Sequence, residues 1–188
     1  MSTIKAKRAE TLLESGLRQI QKGQLEQARL SCEQALRLVP RHPDALHLLG
    51  IIALQNADHA TAVELLQQAA AIRPDHSDYQ ANLAHAYCRL NRFPEALVAF
   101  ERAAGLSPDD PGLQIGVGNC LAMLGKPDQA EVVFRRLVER HPQYPLAWFN
   151  LAKALDDQER YEKPVKCTCA SRSLRRSSPR LTTILASP

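Results

Sequence analysis

Pro40, Pro74, Pro108 and Pro142 stand 34 residues apart, and Ala28, Ala62, Ala96 and Ala130 keep the same interval. Two independent ladders with one period mark a chain built from stacked copies of one supersecondary unit, each burying its apolar face against its neighbours. Numbering the units from residues 9, 43, 77, 111 and 145, the eighth position is always small: Gly16, Gly50, Ala84, Gly118 and Ala152. Position 7 carries Leu49, Leu83, Val117 and Leu151, position 24 carries Cys32, Leu66, Phe100 and Phe134, and position 27 carries Ala35, Ala69, Ala103 and Leu137. Apolar residues three, four and seven apart share one face of a helix.

Each unit therefore reads as two antiparallel helices of about 13 residues joined by a short turn, such as Arg18 to Leu25 or Leu124 to Asp128. Proline at position 32 ends the second helix, because it lacks an N–H and its ring clashes with the preceding turn. Pro43, Pro111 and Pro145 open the next unit at its first helical position, where the missing N–H costs nothing. Small residues at positions 8 and 20 are expected where the two helices cross.

The 34-residue length, the small residue at position 8, Ala at 20, an aromatic at 24 in two units and Pro at 32 resemble the tetratricopeptide repeat. The resemblance covers residues 9 to about 158, with residues 43 to 108 matching best. It implies an all-α, right-handed solenoid of four complete helix-turn-helix units and a partial fifth. Residues 1–8 form an N-terminal segment in this reading, 9–158 the array, and 159–188 a degraded last helix with a basic tail. Unit one departs from the pattern at Ser15, Gln19 and Cys32, as suits a cap with one face lacking a neighbour.

No apolar run approaches the roughly 18 residues of a membrane span, the longest being Leu48 to Leu54. The N-terminus passes from Lys5, Lys7 and Arg8 into Ala9-Glu10-Thr11 with no apolar core or cleavage site, so a cytoplasmic protein is expected. Five cysteines without scaffold-like spacing read as reduced thiols. The formal charge of +4 comes from the tail, since residues 1–162 hold 18 basic and 20 acidic side chains. The body thus gives no reason to expect a nucleic-acid partner.

Catalytic and metal signals are weak. His42 and His76 fall in inter-repeat turns, and His47 and His85 lie on first helices of different units. No histidine or cysteine spacing matches a metal site, and Cys167 and Cys169 alone cannot close a tetrahedron. Gly116-Val117-Gly118 lies mid-helix, without the preceding strand a phosphate loop needs. Asp156, Asp157 and Glu159 read as a solvated surface. No cofactor, metal or catalytic group is expected.

What remains is a binding surface. In the family that this chain resembles, first helices line a concave groove through positions 2, 5, 6, 9, 12 and 13. Carried over, the groove residues are His47, Ile51 and Leu54 from unit two, and Asn82, His85 and Arg89 from unit three. Unit four adds Asn119 and Met123, and unit five adds Phe149, Asn150 and Lys153. The resemblance implies a protein or peptide ligand. The basic clamp with which chaperone-binding relatives hold a terminal carboxylate is missing, its positions carrying Glu10, Leu13, Glu14, Asp44, His47, Leu48, Asp78, Ala81 and Asn82. Asn82 and Asn150, at position 6, are similar to the asparagine ladder of O-GlcNAc transferase arms, with Leu48 and Gly116 interrupting it. An amide both donates and accepts, so it suits pairing with a peptide backbone. The opening His42-Pro43-Asp44-Ala45-Leu46-His47-Leu48-Leu49-Gly50 also resembles arms that precede bacterial glycosyltransferase or sulfotransferase domains, and a truncated recognition arm is the alternative.

The tail breaks the pattern. Pro164 stands at position 20 of unit five, and the last 26 residues hold eight Ser or Thr and six basic residues without an acid, a composition predicting disorder. In a shifted reading frame Lys163-Pro164 can encode Ala at position 20, Cys167-Thr168 Tyr at 24 and Arg175-Arg176 Pro at 32. Ser177 to Ala186 can then encode Asn, Leu and Gly at positions 6, 7 and 8 of a sixth unit. The tail is accordingly expected to be an out-of-frame end on a longer array, with an anion-binding Arg-rich arm as the other reading.

Overall fold

A computed structural model describes residues 2–156. Within them lie nine helices and no strand: α1 (Ser2–Gln21), α2 (Leu25–Leu38), α3 (Pro43–Gln55), α4 (His59–Ile72), α5 (Ser77–Arg89), α6 (Phe93–Leu106), α7 (Pro111–Met123), α8 (Pro127–Arg140) and α9 (Pro145–Asp156). The starts of α3, α5, α7 and α9 are 34 residues apart, as are those of α2, α4, α6 and α8. Every second helix stops two residues before the proline of its unit, and Pro43, Pro111 and Pro145 are the first residues of α3, α7 and α9. The result is a helical-repeat solenoid in which each helix packs on its neighbours in the chain.

Two expectations need correction. Residues 2–8 are not set apart from the array but form the first turns of α1, because nothing from Ser2 to Arg8 breaks a helix and Ala9 is fully buried. The first turn also starts later than Arg18, since α1 continues to Gln21. Its real stop is positional: Gly23, Ala57, Asn91 and Gly125, all at position 15, take left-handed φ of 73°, 60°, 57° and 71°. The next N–H then bonds back over the turn, Gln24 to Gln19, Asp58 to Ala53, Arg92 to Tyr87 and Lys126 to Leu121, at 2.9 to 3.0 Å. This closure satisfies carbonyls that the helix end would leave bare. A Cβ at Ala57 is strained in that conformation, so Ala57→Gly is expected to raise stability by up to about 1 kcal/mol in urea unfolding.

Position 20 is buried in every complete unit: Ala28, Ala62, Ala96 and Ala130 are all 0 % exposed. Position 8 is small for a reason other than the expected one. A Cβ on Gly50 would lie 2.6 Å from Leu66 Cγ, and one on Gly118 would lie 2.4 Å from Phe134 Cε1. The space is taken by the position-24 side chain rather than by the partner backbone. In unit three, where Ala84 fills position 8, the Phe100 ring lies instead against Gly116 of the next unit, where a Cβ would meet it at 2.5 Å. Gly116 is thus the seat through which unit three locks onto unit four.

Among the described residues no helix is long and apolar enough to cross a membrane. The expectations for residues 157–188, including the end of unit five, the basic tail and the shifted frame, lie outside the described residues.

Candidate peptide-binding groove

The first helices of neighbouring units touch, α1 with α3, α3 with α5 and α7 with α9, so that their inner faces form one surface. On it the predicted residues of units two and three come together. Ile51, Leu54, Asn82, His85 and Arg89 line a cavity of about 420 Å³. His85 also lines a second cavity of about 300 Å³, with Cys88, Phe100, Ile115, Asn119 and Met123. His85 is therefore the wall between two neighbouring hollows, its ring meeting Phe100 edge-on with centroids 5.0 Å apart. The hollow beside Phe100 is mainly apolar, and Met123 stands 60 % exposed at its rim.

At the larger hollow, which Asn82 lines, a polar bridge joins α3 and α5. The Asn82 amide nitrogen lies 2.8 Å from His47 Nε2. With the amide donating, His47 is neutral and carries its proton on Nδ1. The His47 ring packs 4.5 Å from Tyr79, which stacks on His76 at 4.1 Å. The Tyr79 hydroxyl donates to the Asp44 carboxylate, and Arg73 stands 3.7 Å from the same carboxylate. Burial and the carboxylate acceptor both raise the Tyr79 pKa, so the phenol stays protonated. Asn82 is consequently oriented by a neighbour before any ligand arrives.

Burial lowers the His47 pKa to about 4, against a smaller upward pull from Asp78. His85 is shifted the same way by partial desolvation. An imidazole whose folded pKa is depressed takes its proton more readily when the chain is unfolded. Its stabilising neutrality is complete above the exposed value near 6.5 and is lost as the pH falls towards 4. Unfolding in urea at pH 7.5 and 4.5 is expected to show a loss of about 1 to 2 kcal/mol from this group, discounted for residual solvent, which His47→Gln removes.

Unit five sits differently. Phe149 is 66 % exposed and Lys153 is exposed, but neither lines either cavity. Asn150 is 7 % exposed and its amide N–H donates to the Leu146 carbonyl at 2.8 Å within α9. That N–H is engaged by its own helix, whereas Asn82 reaches across to the preceding unit. Sequence reasoning missed Phe100, Cys88 and Cys120 as groove lining. The available signal was Gly116, which interrupts the asparagine positions because Phe100 needs its space. Among the described residues no three His, Cys, Asp or Glu side chains converge as metal ligands would.

A sequence model of the tetratricopeptide repeat matches residues 19–85, 53–114 and 90–148. Curated protein sequences give no match. Among solved structures, YrrB, described as a TPR protein with an unusual peptide-binding site, is similar with a TM-score of 0.72 and 22 % identity over 80 % of this chain and 78 % of its own. A MamA protein superposes with a TM-score of 0.75 and 19 % identity over 91 % of this chain and 99 % of its own. An O-GlcNAc transferase of Thermobaculum terrenum matches with a TM-score of 0.68 and 23 % identity over 75 % of this chain but only 28 % of its own. At these identities the similarity concerns the fold.

Proposed function

The chain belongs to the tetratricopeptide repeat family, and from that premise we propose that it is a protein-interaction scaffold whose groove binds an extended peptide reversibly, without turnover. The observation carrying this reading is the continuous run of two hollows joined at His85, one apolar and one flanked by Asn82 and Arg89. An apolar side chain fits the first, while the oriented Asn82 amide meets peptide backbone beside it. Peptides selected from a random library on the full chain test the reading. Asn82→Ala is expected to weaken a selected peptide by about 0.5 to 1.5 kcal/mol, the range for one neutral hydrogen bond, with circular dichroism unchanged. Asn150→Ala is expected to do less, because Asn150 is 7 % exposed and lines neither hollow. Removing residues 163–188 is expected to leave selected peptides bound. Binding lost with the tail and indifferent to Asn82 would make the basic arm the functional element.

A second reading is favoured by the match to part of the O-GlcNAc transferase: the chain as the recognition arm of a glycosyltransferase or sulfotransferase. The two readings share the groove and differ in the coding sequence downstream of it. A catalytic domain in frame there supports the arm, and further repeats closed by a stop support a free adaptor.

A further inference from the structure

Cys88 on α5 and Cys120 on α7 face each other with Sγ atoms 3.7 Å apart, and both line the apolar hollow beside Phe100. Cys88 is half-buried and reachable from the groove, while Cys120 is 1 % exposed behind it. We propose that this pair is an oxidation site, converted by a hydroperoxide into a disulfide that ties α5 to α7 across the groove floor. The two helices belong to units three and four, which also pack through α6 against α7, with Phe100 seated on Gly116.

The chemistry rests on the asymmetry of the pair. The contact between the two thiols, in which either sulfur can donate, lowers the Cys88 pKa, while the same contact and burial raise that of Cys120. Cys88, the member of the pair that is open to the groove, is therefore the attacking group, as its thiolate. It attacks one peroxide oxygen, the O–O bond breaks, and Cys88 becomes a sulfenic acid as hydroxide leaves and is protonated to water. Cys120 then loses its proton and displaces hydroxide from the Cys88 sulfur, releasing a second water when the peroxide is hydrogen peroxide. Two thiols and one peroxide give one disulfide and two waters, the sulfurs losing the two electrons that the peroxide oxygens gain. The sulfurs have to close from 3.7 Å to about 2.05 Å, which side-chain rotation and slight helix motion supply. Cys32 offers the internal contrast: it is 0 % exposed, and burial pushes its thiol up to about 11.

The test uses the full chain treated with one equivalent of hydrogen peroxide, blocked with N-ethylmaleimide and mapped without reduction by mass spectrometry. A peptide pair joined through Cys88 and Cys120, reversed by dithiothreitol, is expected to be about tenfold more abundant from native protein than from protein oxidised in urea, where the thiols are no longer held together. Equal yields in the two conditions, or both thiols alkylated after native oxidation, would overturn the proposal. In Cys120→Ala the sulfenic acid has no resolving thiol, so dimedone is expected to label Cys88 strongly in the variant and weakly in the unaltered chain. No labelling in a folded variant would likewise overturn it, and the mapping on the unaltered chain decides the matter if the variant does not fold.

Discussion

Phe134→Ala is expected to destabilise the chain by about 3 to 5 kcal/mol, the range for removing a buried aromatic and leaving a cavity. Phe134 is 2 % exposed and its ring occupies the place where a Cβ of residue 118 would be, only 2.4 Å away. The two positions are therefore coupled, and the sign of a second substitution reports the coupling. Gly118→Ala alone gains helix propensity of about 1 kcal/mol but forces the ring aside, and overpacking of that kind costs about 1 to 3 kcal/mol. It is expected to be neutral or destabilising in the unaltered chain and stabilising by about 1 kcal/mol once Phe134 is alanine. Chemical denaturation of the four proteins closes the cycle, and additive effects would mean that helix crossing, not the aromatic, limits position 8.

Phe100→Ala is expected to cost a similar amount, about 3 to 5 kcal/mol, but to distribute it differently. Phe100 is 2 % exposed, its ring seats on Gly116 of the next unit and it forms the wall of the groove hollow beside His85. Solenoid stability is a sum over units and the interfaces between neighbours, so weakening one interface uncouples the array there. Unfolding of Phe100→Ala is expected to split into two transitions, with amide exchange accelerating first in α7 and α8. A single cooperative transition shifted as a whole would contradict this, showing that the remaining packing of α6 on α7 keeps units three and four coupled.

The period was fully legible because proline and alanine at fixed positions answer to backbone chemistry and to size, which every unit shares. Helix starts at Pro43, Pro111 and Pro145 followed from the same logic. The left-handed residue at position 15 was not legible, since Ala57 and Asn91 occupy it beside two glycines and only the closing hydrogen bonds reveal the common conformation. Contacts between units were the least legible. That Phe100 crosses to Gly116, that Asn82 meets His47, and that Asn150 turns back to Leu146 depend on how successive helix pairs stack, which periodicity leaves open. Register thus placed Ile51, Leu54, Asn82, His85, Arg89, Asn119 and Met123 along the two hollows, while Phe100 and Cys120, which line one of them, stand at other positions of the repeat.

Groove occupancy is tested most directly by mapping a selected peptide on the isotope-labelled chain by NMR. Groove binding predicts shifts concentrated at Ile51, Asn82, His85, Arg89, Asn119 and Met123, with intermolecular contacts from an apolar peptide side chain to Phe100 and Ile115. A footprint on the outer faces of α4, α6 and α8, or one confined to residues beyond 156, would contradict it.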